Sequence, residues 1–151
     1  MNTLKFSSKK LFLNTLGKVV ASDLFSFRHP VSVKGICIAD DKILLLKNEH
    51  GTWDLPGGKL KIGERPEDCL VREFKEELDI DIAVHQLLTA VPILVNQQVN
   101  VLVLLYACQA NAGAKPRISD EHYGMGKFKP CELSALGLPL SYLEAIKTVW
   151  R

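Results

Sequence analysis

Between Gly58 and Ile80 the chain reads GKLKIGERPEDCLVREFKEELDI, and its second half has a pattern that only a helix satisfies. Leu70, Phe74 and Leu78 recur every four residues, the spacing that lines one side of an α-helix. Glu73, Glu76 and Glu77 fall together on the adjoining side. One side can dock on a core while its neighbour gathers negative charge. Like charges so close repel, so a helix that carries them needs a compensating partner. Carboxylate oxygens are the hard ligands that Mg²⁺ or Mn²⁺ prefers. The helix should open at Pro66, since proline suits the first helical position, with Glu67 and Asp68 favoured in the first turn by the helix dipole. Arg65 is a poor N-cap. Asp79 stands where a glycine would most easily take the left-handed closing conformation; aspartate tolerates it at some cost.

The surrounding chain reads as one domain preceded by an extension. At 151 residues, with 47% hydrophobic and 24% charged residues, a sizeable core is within reach. A net charge of +2 gives no case for a nucleic-acid-coating surface, so no nucleic-acid partner is expected. Cys37, Cys69, Cys108 and Cys131 lack zinc or redox spacing and read as free thiols. The longest apolar run, Val101 to Cys108, is far too short for a membrane span, and a cytoplasmic location is the default expectation. Residues 1–30 carry Lys5, Lys9, Lys10, Lys18 and Arg28 against the single acid Asp23, without a secretory apolar core. They read as an extension that packs on the domain or joins a second copy in a homodimer.

From residue 31 onward strand signals dominate. Val31–Ala39 and Lys42–Lys47 flank Asp40-Asp41 as a hairpin. Trp53 to Gly58 is a short extended segment ending in paired glycines, where the backbone can approach something closely. Ile82–Val95 and Val99–Ala107 are apolar at alternate and intervening positions, which predicts strands covered on both faces. Residues 110–120 read as a loop, and Lys127-Phe128-Lys129 as a short strand. Ser141 with Glu144 spells a capping box for a last helix carrying Leu143, Ile146, Val149 and Trp150 on one side. Strands between two or three helices is the architecture this pattern supports, an α+β class.

Gly58, Glu64 and the run Arg72-Glu73-Phe74-Lys75-Glu76-Glu77-Leu78-Asp79-Ile80 together resemble the Nudix box, G-x5-E-x7-R-E-U-x-E-E-x-G-U, where U is bulky and apolar. The one departure is Asp79 in place of the family glycine. Flanking segments resemble the family over roughly residues 31–150. The resemblance implies a Nudix fold for residues 31–151, an α/β/α sandwich with a mixed central sheet. It implies Glu73, Glu76 and Glu77 as ligands of a divalent metal, Mg²⁺ or Mn²⁺, with a backbone carbonyl from Gly58. Glu64 and Arg72 would form a supporting ion pair, arginine offering a planar fork and never a ligand.

The implied reaction is hydrolysis of a nucleoside diphosphate linked to another moiety, with water attacking the pyrophosphate. Glu76, Glu77 and Glu121 are the candidate catalytic carboxylates; Glu121 reads equally as a solvated loop acid. A nucleoside triphosphate and an ADP-ribose or nucleotide-sugar substrate both fit. Pro92 comes too early and Tyr106 too late for the subtype markers that the resemblance suggests. A nucleotide-sensing module on the same fold is the non-catalytic alternative, and the full set of box acids weighs against it. An RNA-end pyrophosphohydrolase is weaker still, for want of a basic run. Trp53 reads as an anchor beneath the glycines ahead of a base-stacking ring, His50 and His122 as surface histidines ahead of residues lining a substrate cleft, and Tyr106 as a core residue with its hydroxyl satisfied. Lys115 and Arg117 would meet phosphates or solvate a loop.

Overall fold

The computed structural model describes residues 29–95, 98–119 and 122–150. Strands β1 (Val31–Ala39), β2 (Lys42–Lys47), β3 (Trp53–Asp54), β4 (Ile82–Val95), β5 (Val99–Ala110) and β6 (Gly124–Phe128) form a six-stranded sheet. Helices α1 (Pro66–Leu78), α2 (Pro130–Leu133) and α3 (Leu140–Val149) accompany it. The order is β3-β2-β1-β5-β4, with β6 also pairing β2. β1 and β5 run parallel while the other pairings are antiparallel, so the sheet is mixed. The proposed arm at residues 1–30 lies outside the described residues up to position 28.

The β1–β2 hairpin turns on Asp40 and Asp41, both left-handed at φ 54° and 53°. That geometry matches the twist of the strands it joins, and aspartate is among the few side chains that tolerate it. Alternation along β1 then splits the core in two. Val33 and Cys37 pack with Phe74, Leu70 and Leu78 of α1, while Ile36 and Ile38 face Tyr142, Ala145 and Ile146 of α3. Gly35 lies under Phe74; a Cβ there would sit 2.7 Å from the ring. Helix α1 opens at Pro66 and closes at Asp79 in the left-handed conformation, φ 53° and ψ 34°. The Asp79 carboxylate accepts an ion pair from Lys75 at 2.9 Å.

Three expectations need correction. Strand β5 is buried on both faces, but β4 is not: only Ile82 along it is buried, and Leu87 and Leu94 are exposed. β4 is the edge strand, and α1 packs only on its start, where Ile82 and Val84 join the cluster of Leu70, Phe74 and Leu78. Its pairing with β5 is broken by two irregularities, between Val84 and Gln86 and between Leu87 and Thr89. The sixth strand begins at Gly124, three residues earlier than Lys127, because it follows β2 from Lys47 to Ile43. Ser141 does not cap α3: the helix starts at Leu140, Pro139 is the N-cap, and its carbonyl accepts from the Tyr142 N–H at 2.9 Å.

Candidate active site

Pro56-Gly57-Gly58 is laid flush along the free side of β1. The Gly35 N–H donates to the Pro56 carbonyl at 2.9 Å and the Val33 N–H to the Gly58 carbonyl at 2.8 Å. Gly57 has φ +123°, and a Cβ on it would lie 2.1 Å from the Val33 oxygen, so no other residue fits. At Gly58 a Cβ would stand 2.5 Å from the Glu73 carboxylate. This turn therefore brings the start of the box against the acidic side of α1.

Of the acids, Glu77 points inward and Glu76 outward. Glu77 is 9% exposed, and its Oε2 accepts the Gly57 N–H at 2.8 Å. Burial, reinforced by the nearby Glu73 charge, pushes its pKa up to about 7, against the opposing pull of the Gly57 N–H and Lys34. Arg72 gathers the others. Its Nε and Nη2 hold both oxygens of Glu64 at 2.7 and 3.0 Å, and its Nη1 reaches Glu73 at 2.6 Å and Glu76 at 3.1 Å. The Arg72 fork, helped by the Lys61 N–H, holds Glu64 down at about 2.

The Gly58 carbonyl, named above as a ligand, is engaged by Val33 and lies 3.3 Å from the Ser32 hydroxyl. The same glycine also gives clearance beside Glu73. Glu121 lies outside the described residues. His122 is no surface histidine: its side chain is 16% exposed and its Nε2 lies 3.3 Å from Glu77 Oε1. The strand after the loop is steered there because the Arg117 and Ser119 N–H groups donate to the Leu78 and Glu77 carbonyls, satisfying the end of α1. His50 and Arg117 are exposed, and Tyr106 is buried with its hydroxyl donating to Glu67 at 3.1 Å.

On the opposite side of the turn lies a cavity of about 550 Å³, within the range of small-molecule sites. Ile93, Val95, Val99, Val101 and Val103 form an aliphatic wall; Asn48, Asp54, Lys34 and Tyr142 bring polar atoms. Trp53 lines it too, braced edge-on against Phe128 with ring centres 4.8 Å apart. Sequence reasoning missed Lys34, the sole charge in a β-rich run. Its ammonium contacts the carbonyls of Leu55 and Gly57 at 3.0 and 2.9 Å and Asp54 at 2.8 Å. Its place among apolar neighbours was the only signal available.

Among the described residues, no helix is long and apolar enough to cross a membrane. The family model described as NUDIX domain matches residues 28–144. A "MutT-like protein" of Streptomyces ambofaciens is 33% identical over 108 residues, covering 70% of this chain and 68% of that one. An "ADP-ribose pyrophosphatase" of Methanocaldococcus jannaschii is 40% identical over 96 residues, covering 54% of this chain and 57% of its own length. In three dimensions, the crystal structure of an ADP-ribose pyrophosphatase from Streptococcus suis superposes with TM-score 0.68 at 22% identity, over 82% of this chain and 93% of that one. With its fold, its box and most of its length accounted for, the chain belongs to the Nudix hydrolase family.

Proposed function

We propose that the chain is a metal-dependent pyrophosphohydrolase acting on a nucleoside diphosphate linked to another group. The observation that carries this reading is the buried Glu77, set among box acids and separated from a ligand-sized cavity by one glycine turn.

The donor chemistry suits a divalent cation. Glu73, Glu76 and Glu77 offer hard oxygens, and burial of Glu77 beside Glu73 leaves negative charge that a cation relieves. As folded, Glu73 and Glu76 lean on Arg72, and no three His, Cys, Asp or Glu side chains among the described residues converge on one point. Loading would therefore draw these carboxylates away from the guanidinium. Glu73, Glu76 and Glu77, with the Gly58 carbonyl, are the proposed ligands. When bound, Mg²⁺ or Mn²⁺ would neutralise pyrophosphate charge and acidify the attacking water.

The chain's own residues do the rest. Glu76 and Glu77, with Glu121 as a third candidate, accept the proton that water gives up. Arg72 keeps Glu64 and the box loop against α1. The cavity's aliphatic wall, with Trp53, Asn48 and Tyr142 beside it, suits the nucleoside or its linked group, with the phosphates at the Gly57–Gly58 turn.

The test is phosphate release or product formation from ADP-ribose, a nucleotide sugar and 8-oxo-dGTP, with Mg²⁺ and with Mn²⁺, beside Glu77→Gln. Turnover of at least one probe that Glu77→Gln abolishes is the expected result. A wild type that cleaves none, or a variant that matches it, overturns the reading; tight binding without turnover favours the nucleotide-sensing module.

A further inference from the structure

Lys34 sits on β1 with its side chain on the cavity side of the sheet, 14% exposed. A lysine ammonium has three N–H donors. Here they meet three acceptors within 3.0 Å: the Leu55 carbonyl, the Gly57 carbonyl and Asp54 Oδ2. None is left over for a substrate. The acceptors belong to the segment that runs from β3 into the box, so the charge is spent on the protein itself.

What that segment needs from a side chain follows from its other bonds. The backbone of β1 already holds the carbonyls of Pro56 and Gly58, through the Gly35 and Val33 N–H groups. Between them, Gly57 has no side chain, and among the described residues no backbone group bonds to its peptide N–H or carbonyl. Its N–H goes to Glu77 and its carbonyl to Lys34. Glycine has the widest choice of backbone angles, and two stand in succession, so the peptide planes around Gly57 turn unless both ends are tied. Lys34 ties the carbonyl end. Glu77 receives the N–H that results.

We propose that Lys34 is a positioning residue for the reaction: from the cavity side it fixes the Gly57 peptides, and through the Gly57 N–H it sets the orientation of the Glu77 carboxylate. Its kinetic consequence rests on the functional reading above; its effect on Gly57 does not. Asp54 is part of the same device, since it takes the third ammonium proton and its other oxygen accepts the Leu55 N–H at 2.8 Å.

The test compares wild type, Lys34→Met and Lys34→Arg in the full chain, by amide hydrogen exchange and by kinetics on whichever of the three probes is cleaved. In Lys34→Met the Gly57 amide should exchange about tenfold faster, while the Val33 and Gly35 amides stay protected. kcat should fall about tenfold or more with KM within about twofold, and Lys34→Arg should recover part of the loss. Unchanged Gly57 exchange overturns the proposal. So does loss of protection at Val33 and Gly35 together with Gly57, which makes Lys34 a staple of the whole turn, or a loss confined to KM, which makes it a substrate contact. A wild type that cleaves no probe sinks the functional reading, and Gly57 exchange then decides alone whether Lys34 sets that amide.

Discussion

The two faces of the sheet are built by different means. On one, a thirteen-residue helix supplies the anchor and the charges together: Leu70, Phe74 and Leu78 dock, while Glu73, Glu76 and Glu77 flank them. On the other, α3 covers only part of the sheet, and the cavity beside it is assembled from β1, the loop before β3, the β4–β5 hairpin and the approach to α3. Spacing along one helix writes the first face. Meeting of distant segments writes the second. Two carboxylates of the box show the contrast at the level of single groups. The Arg72 fork holds the pKa of Glu64 down to about 2, while burial pushes that of Glu77 up to about 7.

Truncation measures how unequal the faces are. Phe74→Ala, at a fully buried position, should cost about 4 kcal/mol. Leu143→Ala, on the partly buried rim of the α3 cluster, should cost about 1 kcal/mol in the same urea titration. Equal costs would break the contrast.

Acid titration of the metal-free protein sharpens it next. Glu77 has a folded pKa above its ordinary 4.5, so its favourable contribution is full below pH 4.5 and is lost as pH rises through about 7. Glu77→Gln should therefore stabilise the chelator-treated protein at pH 8 by on the order of 3 kcal/mol, and leave it unchanged at pH 4. Glu64 runs the opposite way: its contribution is present above pH 4.5 and lost as pH falls through about 2. Glu64→Gln should lower the melting temperature at pH 7 and converge on wild type in acid.

Val101→Phe fills the cavity from its aliphatic wall. KM for the cleaved probe should rise about tenfold while the melting temperature moves by no more than a few degrees. A drop in kcat alone would place the substrate elsewhere. The smallest effect is expected at the end of α1. Asp79→Gly relieves a left-handed aspartate but gives up its exposed pair with Lys75, so the melting temperature should rise by no more than about 2 °C.

The same contrast explains what was legible beforehand. The hairpin at Asp40-Asp41, the start of α1 at Pro66, its left-handed close at Asp79 and the grouping of box residues all depend on near neighbours in sequence. They could be read directly. Lys34 takes its meaning from Leu55 and Gly57, more than twenty residues on, and His122 from Glu77. Neither partner is visible along the chain. The apolar run of β4 misled for a related reason: hydrophobicity marks a strand, but only the packed helices decide whether it is central or at an edge.

That edge bears on how readily another extended chain can pair with the sheet. A fourteen-residue border strand showing Leu87 and Leu94 offers a template on which another extended chain can assemble. Here the template is cut into short pieces. The irregularities at Val84/Gln86 and Leu87/Thr89 throw successive N–H groups out of line, and Pro92 has none to give. The longest in-register stretch among the described residues, Thr89–Val95, carries Pro92 at its middle, so this border is a poorer template than its length suggests.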